Sequence, residues 1–300
     1  MTEAQWMTST DPQAMLTCIG SKASDRKLRL FAVACCRLAW SKFTDERSRH
    51  AVEVAERYAD GNETDANRRL ARGNAMKSSG WVNGCGADIV ARSNSQVRTL
   101  VQRLHHYADG VTHSVQADLL REIFGNPFRP FRRSVGLGEL LYRLPDTLTL
   151  VDESWLTPTV VALARAAYDE RPGKVCNKCN GTGKEWDGRG GDGWFSCSTC
   201  RGTGRIEDGQ LDPHLLSVLA DALTDAGCDS EELVLHFRGQ ERCPRAHWPA
   251  RPQNMTEAYT QVDPTKVQTS CVTCKSTGYI PLRCPHYRGC WVVDLILGLE

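Results

Sequence analysis

Four cysteines in the second half of the chain have the spacing of a metal site. They belong to two copies of the pattern C-x-x-C-x-G-T-G, at 176–183 and 197–204. Two thiolates separated by two residues can bind one metal ion from a tight turn, and two such turns complete a tetrahedron. The spacing therefore predicts one structural zinc ion. Its predicted ligands are Cys176, Cys179, Cys197 and Cys200.

The surroundings of these cysteines support zinc over other roles. Glycine permits positive φ, so the N–H groups after each cysteine pair can turn back toward the sulfurs and offset their negative charge. The first residues carry no secretory signal, which predicts a cytoplasmic protein, where clustered thiols bind metal more often than they form disulfides. A redox C-x-x-C normally follows a strand in a βαβ unit, which the sequence does not predict here.

A third, incomplete copy of the pattern lies at 271–278, where serine replaces the first glycine. Its cysteine pair predicts half of a second zinc site, which needs two further ligands. Cys243 with His247 would complete a Cys₃His site, and Cys284 could join from the other side. The third and fourth ligands therefore stay open. The candidate set is Cys271, Cys274, Cys243 and Cys284, with His247, His286 or Cys290 as alternatives.

The elements that must position these cysteines are predicted to be helical. Apolar residues recur at i, i+3, i+4 and i+7 from Leu28 to Ala39, and a similar face runs from Leu215 to Leu223. Asp11-Pro12 and Ser24-Asp25 are typical helix starts. Alternating strand patterns are nearly absent. We therefore predict a mainly α fold, with a helical single-domain body and inserted zinc-knuckle or β-hairpin loops.

Three local predictions are more specific. Ser114 is expected to cap the helix that ends at Phe124, before a Gly-Asn-Pro sequence. Asp229 and Glu232 resemble a capping box. The stretch 127–149 is expected to be loop-like.

The paired C-x-x-C-x-G-x-G units resemble the cysteine-rich zinc domain of DnaJ-type co-chaperones. The resemblance covers residues 176–204 and the incomplete copy, and its motif is specific for zinc but loose for function. In that family four such repeats bind two zinc ions and help to hold unfolded clients, so the resemblance implies a holdase role as one alternative. The chain has no His-Pro-Asp triplet, which a J-domain needs to stimulate its partner ATPase.

Four stretches, which together span both ends of the chain, carry a second resemblance. They are ASDRKLRLFA at 23–32, TDERS at 44–48, DLLREIFGNPFRP at 118–130 and RGCWVVD at 288–294. They are similar to an abundant family of uncharacterised bacterial paralogues, which implies a body plan and no activity. In members of that family, a shorter stretch of chain connects the segments that correspond to the Tyr168 region and the Trp291 segment. This comparison implies that the cysteine-rich stretches are insertions and that Cys290 lies in the helical core.

These arguments divide the chain into a helical body with two insertions. The segments are 1–170 (body), 171–209 (DnaJ-like zinc knuckle), 210–241 (body continued), 242–285 (second cysteine-rich insertion) and 286–300 (C-terminal body segment).

Composition and motifs argue against several function classes. Lysine plus arginine (37) nearly equals aspartate plus glutamate (36), whereas a duplex-DNA binder usually has a basic excess. No apolar run is long enough to span a bilayer. We find no nucleophile with a base, no phosphate loop and no open metal site, so we do not expect an enzyme. Four thiolates around one metal leave no position for water.

The sequence therefore predicts a non-catalytic zinc-binding protein that serves as a protein-interaction or scaffold module for a protein partner not yet identified. One alternative is a nucleic-acid-binding accessory protein. It would use the basic residues of the knuckle and the loop 128–133, where arginines alternate with two phenylalanines. The other alternative is the DnaJ-like holdase.

Overall fold

Helices make up most of the chain that the computed structural model describes, which confirms the mainly α prediction. The described residues are 1–77, 111–133, 149–169, 173–186, 193–206, 208–243, 273–275, 277 and 279–299. Their α-helices are α1 (Glu3–Thr8), α2 (Pro12–Ile19), α3 (Asp25–Leu38), α4 (Glu46–Ala59), α5 (Asp65–Ala75), α6 (His113–Phe124), α7 (Pro158–Asp169), α8 (Pro213–Asp225), α9 (Glu231–Phe237) and α10 (Trp291–Leu297).

The strands are short and form two-stranded sheets within the described ranges. They are β1 (Phe131–Arg133), β2 (Thr149–Val151), β3 (Lys174–Val175), β4 (Lys184–Trp186), β5 (Trp194–Ser196), β6 (Arg205–Ile206), β7 (Gln240–Arg242) and β8 (Tyr279–Pro281). β1 pairs with β2 in parallel, whereas β3–β6, β4–β5 and β7–β8 are antiparallel pairs. Three short 3₁₀ turns, Gly20–Lys22, Trp40–Lys42 and Glu153–Trp155, complete the described elements.

Capping residues place the first long helices where the sequence predicts them. At the start of α2 the Asp11 carboxylate accepts hydrogen bonds from the N–H groups of Gln13 and Ala14. At the start of α3 the Ser24 hydroxyl accepts one from Lys27. These side chains satisfy N–H groups that have no partner inside the helix.

Two predicted helix starts are wrong by one or two residues. The cap of α6 is Thr112, whose hydroxyl accepts the N–H of Val115, and Ser114 lies inside the first turn. α9 begins at Glu231 after Ser230, and no side-chain hydrogen bond caps it. Asp229 therefore lies one residue too early for the predicted capping box.

The strands β1 and β2 and the helix α1 have no counterpart in the sequence prediction. β1 and β2 lie at the ends of the stretch predicted to be a loop, and three-residue strands are too short to show an alternating pattern. α1 is fixed by Trp6, which is fully buried and donates its indole N–H to the carbonyl oxygen of Gly125. Phe131 of β1 packs against Trp291, with ring centroids 5.0 Å apart.

The apolar core consists of two large clusters. The first joins α2, α3 and α6, and the second joins α7, α8, α9 and α10. A buried charge network connects the N-terminal helices with α10. Arg26 of α3 donates to Asp294 of α10 at 2.6 Å and to Asp60, just after α4, at 2.9 Å. Tyr168 of α7 donates its hydroxyl to Asp60 at 2.7 Å. Both ends of the chain therefore contribute to one set of packed helices.

Candidate metal centres

The four cysteines of the complete repeats lie together, and their sulfur atoms face one another. The Sγ atoms of Cys176 and Cys197 are 3.8 Å apart, and those of Cys179 and Cys200 are 3.5 Å apart. All four sulfurs lie within 4.8 Å of one another and all four residues are buried. Zinc–sulfur bonds of about 2.3 Å place tetrahedral sulfurs roughly 3.8 Å apart. The cluster can therefore hold a metal ion, and its dimensions are compatible with zinc.

The last glycine of each repeat turns its N–H toward a sulfur, as the sequence predicts. Gly183 donates to Sγ of Cys179 and Gly204 donates to Sγ of Cys200, both at 3.3 Å. Their φ angles are +73° and +74°, in the region that glycine reaches without strain. Such N–H···S bonds offset the negative charge of a metal-bound thiolate.

The same two glycines let the repeats pack closely against each other. A Cβ on Gly183 would overlap the carbonyl oxygen of Gly202, and a Cβ on Gly204 would overlap that of Gly181. Cys197 donates its N–H to the carbonyl oxygen of Gly183 at 2.8 Å, and the first cysteine of the other repeat makes the equivalent bond to Gly204 at 2.9 Å. The two repeats therefore form one unit with approximate twofold symmetry.

One cysteine ionises easily before any metal binds. Burial raises the pKa of the Cys200 thiol, but hydrogen bonds from Cys179 and from the N–H of Gly204 outweigh it and lower that pKa to about 7. Burial raises the pKa of Cys197 to about 12. Because a metal ligand must be a thiolate, the lowered pKa of Cys200 favours metal binding.

The knuckle, defined as the described residues 173–186 and 193–206, has almost no buried side chains besides the cysteines. Its other buried positions are Gly183 and Gly204. The cysteines form a cluster of their own, contacted by Ile206, which also packs against the first core cluster. The buried apolar surface of the knuckle is too small to order a segment of this length. The knuckle therefore needs the cross-link that a metal ion would supply.

Three large aromatic side chains are exposed on the hairpin of β4 and β5, which we call the aromatic hairpin. Trp186, Trp194 and Phe195 are 46%, 57% and 47% exposed. Among the described residues, no other tryptophan or phenylalanine is exposed to this extent. Trp186 and Trp194 lie opposite each other across the strands, with ring centroids 5.4 Å apart. The hairpin leads directly into Cys197.

The incomplete third repeat has the conformation of the complete ones where the structure describes it. Thr277 donates both its hydroxyl (2.6 Å) and its N–H (2.9 Å) to the carbonyl oxygen of Cys274, as the matching threonines do in the other repeats. The non-glycine residues with positive φ in the described ranges are the ones that follow the second cysteine of each repeat. They are Asn180, Arg201 and Lys275.

Cys243 has the same position relative to a strand pair as Cys176 has in the knuckle. The strand β7 directly before it pairs with β8, just as β3 directly before Cys176 pairs with β6. Cys243 and Cys274 then form a buried cluster. The structure thus brings together two members of the predicted second site. Cys271 and the alternative ligand His247 lie outside the described residues, so the full set stays a prediction.

The remaining candidates for that site lie elsewhere. Cys284 is packed in the first core cluster, away from the pair formed by Cys243 and Cys274. Cys290 is fully buried in the second core cluster, where the family resemblance places it. His286 is also buried, and it lies beside Cys290 in a group of polar side chains that sequence reasoning does not find.

This buried polar cluster consists of Glu122, His236, His286 and Cys290. His286 Nδ1 lies 2.9 Å from Glu122 Oε1 and 3.8 Å from Cys290 Sγ. His236 Nε2 lies 3.2 Å from Cys290 Sγ and 3.6 Å from Glu122 Oε2. The cluster can hold a metal ion. The one local signal in the sequence is the four-residue spacing of His286 and Cys290, because Glu122 and His236 come from distant helices.

Burial shifts the pKa of every member of this cluster. It raises the pKa of the Cys290 thiol well above its usual range and lowers the pKa of His236 to about 4. For Glu122 burial also favours the neutral form, but the two imidazoles outweigh it and lower the carboxyl pKa. Burial lowers the pKa of His286, but Glu122 outweighs it and the net shift is upward. These directions favour the ionised form of Glu122, the protonated form of His286, the neutral form of His236 and the thiol form of Cys290.

The loop 128–133 does not present its phenylalanines to solvent. Phe131 is buried against Trp291, and Phe128 packs against the first core cluster. Arg129 forms an ion pair with Glu3 at 2.8 Å. The loop is therefore held by its aromatic rings, which are not available to stack on bases.

Comparison with known proteins adds no assignment: no family model, no curated protein and no solved structure matches this chain. In the part of the chain that the structure describes, no helix has the length and apolar character needed to cross a membrane.

Proposed function

We propose that this chain is a non-catalytic, cytoplasmic zinc-binding protein whose knuckle docks onto a protein partner. The observation that carries the proposal is the aromatic hairpin, which is held in place by the cysteine cluster and points two tryptophans and a phenylalanine into solvent. Exposed apolar patches on soluble proteins mark interaction sites, and tryptophan is enriched among the residues that dominate binding energies.

The zinc ion has a structural role in this proposal. Four thiolates close the coordination tetrahedron, so no position remains for a water molecule or a substrate. Metal binding contributes about 10–16 kcal/mol in small zinc peptides, which is ample to order a segment without an apolar core. The metal would thus hold the aromatic hairpin in one orientation and lower the entropy cost of docking.

The charges of the knuckle favour a protein partner over nucleic acid. Lys178 forms an ion pair with Glu185 at 2.9 Å, and Lys174 forms one with Asp208 at 3.0 Å. Arg201 is paired with Glu46 of α4. Phosphate recognition needs cations that neutralise the backbone of the ligand, and carboxylates beside these side chains weaken that attraction.

The test compares binding by the wild-type protein with a double variant, Trp186→Ala/Trp194→Ala. Tagged proteins are expressed in cells that make the protein naturally, and co-purified proteins are quantified by mass spectrometry at low and moderate salt. The matched control is Leu70→Ala, which removes an exposed apolar side chain (64% exposed) from α5. We expect a partner that is retained by wild type and control at both salt concentrations and lost from the double variant.

Two results would contradict this proposal. Equal recovery of the same partners by the double variant would show that the aromatic hairpin does not contribute to binding. Binding that falls steeply with salt and disappears after nuclease treatment would instead assign a nucleic-acid ligand. The holdase alternative predicts a different result. The protein would then suppress the aggregation of an unrelated unfolded protein in a zinc-dependent way, without a specific partner.

A further inference from the structure

We infer that Glu122, His236, His286 and Cys290 form a second zinc site inside the helical body, separate from the knuckle. This inference does not depend on the proposed docking function. It also differs from the second site predicted by the sequence, because it uses neither Cys243 nor Cys274.

The spacing of the donor atoms fits one tetrahedral ion. Zinc bonds to nitrogen, oxygen and sulfur of about 2.0–2.3 Å place neighbouring donors roughly 3.3–3.8 Å apart. Two of the four separations, His236–Glu122 at 3.6 Å and His286–Cys290 at 3.8 Å, lie in this range. The other two, 2.9 and 3.2 Å, are hydrogen-bond distances in the metal-free protein, and shifts of a few tenths of an ångström would bring them into it. All four donors lie within 4.8 Å of one another, so a single ion can reach each of them.

The donor set has the chemistry of a zinc site. Imidazole and thiolate favour zinc over calcium or magnesium, which prefer oxygen. A thiolate from Cys290 and a carboxylate from Glu122 supply two negative charges, and two neutral imidazoles supply none. A divalent cation would therefore make the site neutral, which is the favourable state for charges that are buried together.

The site is closed, which indicates a structural ion. Glu122, His236, His286 and Cys290 are 4%, 8%, 6% and 0% exposed. The His236 ring packs against Trp291, with ring centroids 5.3 Å apart, so an apolar wall covers this side. Four protein ligands behind such a wall leave no room for substrate.

A zinc ion here would join parts of the body that are distant in sequence. Glu122 lies on α6, His236 on α9, and His286 and Cys290 lie in the segment that leads into α10. α6 belongs to the first core cluster, and α9 and α10 belong to the second. The ion would therefore cross-link the two clusters and remove conformational freedom from the unfolded chain.

The experiment removes the knuckle ligands and asks whether zinc remains. The triple variant Cys176→Ser/Cys200→Ser/Cys274→Ser is purified, and its zinc is measured by mass spectrometry and by X-ray absorption at the zinc edge. We expect one zinc ion with one sulfur and three nitrogen or oxygen neighbours. A folded triple variant without zinc, or with another metal in its place, would overturn the inference.

If the triple variant does not fold, the single variant Cys290→Ser tests the inference instead. Cys290→Ser in the wild-type background should hold one zinc ion fewer than wild type, with helical circular dichroism retained. The matched control is Cys36→Ser, which alters another fully buried cysteine outside the cluster and should keep the full zinc content. An unchanged zinc count in Cys290→Ser would show that the four side chains form a hydrogen-bonded network only.

Discussion

The knuckle and the helical body differ in the kind of side chain that they bury. The body buries two large sets of apolar side chains, whereas the buried side chains of the knuckle are those of its four cysteines. The sheets of the knuckle contain two or three residue pairs each, too few for independent stability. Comparison of the two regions shows that the body has an apolar core, whereas the knuckle would depend on ligand bonds to a metal ion.

This difference makes the two regions separable in experiments. Removing metal should affect the knuckle first, and removing apolar contacts should affect the body first. Because a chelator would also remove the inferred zinc of the body, Cys176→Ser separates the two cases. A loss of body stability in this variant would mean that the knuckle and the body fold as one unit.

The largest effect is expected from removal of zinc. A chelator at neutral pH should open the knuckle, because the metal cross-link in small zinc peptides is worth about 10–16 kcal/mol. Hydrogen exchange followed by mass spectrometry should show lost protection in the knuckle, while α3 stays protected. Protection of the knuckle that persists after the metal has been shown to leave would contradict the account.

The reciprocal change is Phe31→Ala in α3. Phe31 is fully buried in the first core cluster, so its truncation should lower the free energy of unfolding of the body by about 3–5 kcal/mol. Chemical denaturation measures this change. The zinc bound by the knuckle in the folded variant should stay at the wild-type value, and a parallel loss of knuckle zinc would show that the regions are coupled.

The charge network that crosses the body gives a prediction of a smaller effect. Asp294→Ala removes one of the two buried carboxylates that pair with Arg26 and should cost about 1.5–3 kcal/mol, because the hydrogen-bonded ion pair with Asp60 remains. The control Arg238→Ala removes an exposed pair with Asp221 and should cost at most about 1 kcal/mol. Equal effects of the two substitutions in thermal unfolding would be evidence against the network.

The smallest predicted effect tests the packing of the two repeats. Gly183→Ala places a methyl group against a carbonyl oxygen of the other repeat and strains a positive φ. We expect knuckle zinc affinity to fall about 10–100-fold, the range seen when groups around metal ligands are disturbed. Competition with a coloured chelator measures this. Gly73→Ala, at a helical position with free space around it, should leave zinc affinity unchanged.

Local patterns predict much of this fold and only part of its metal chemistry. The repeated cysteine–glycine pattern predicts all four knuckle ligands, and caps such as Ser24 predict helix starts, because in both cases the interacting groups are neighbours in the chain. The cluster around Glu122 and His236 escapes prediction because its members come from separate helices, and only folding brings them together. Cys243 is an intermediate case, since its pairing with Cys274 depends on the long-range β7–β8 contact.

The four cysteines of the knuckle are expected to bind one structural zinc ion. Native mass spectrometry of the wild-type protein and of Cys176→Ser measures this. We expect zinc in the wild type and one ion fewer in the variant, with unchanged helical content. A wild-type protein purified without chelators that carries no zinc, or a variant with the full zinc content, would contradict it.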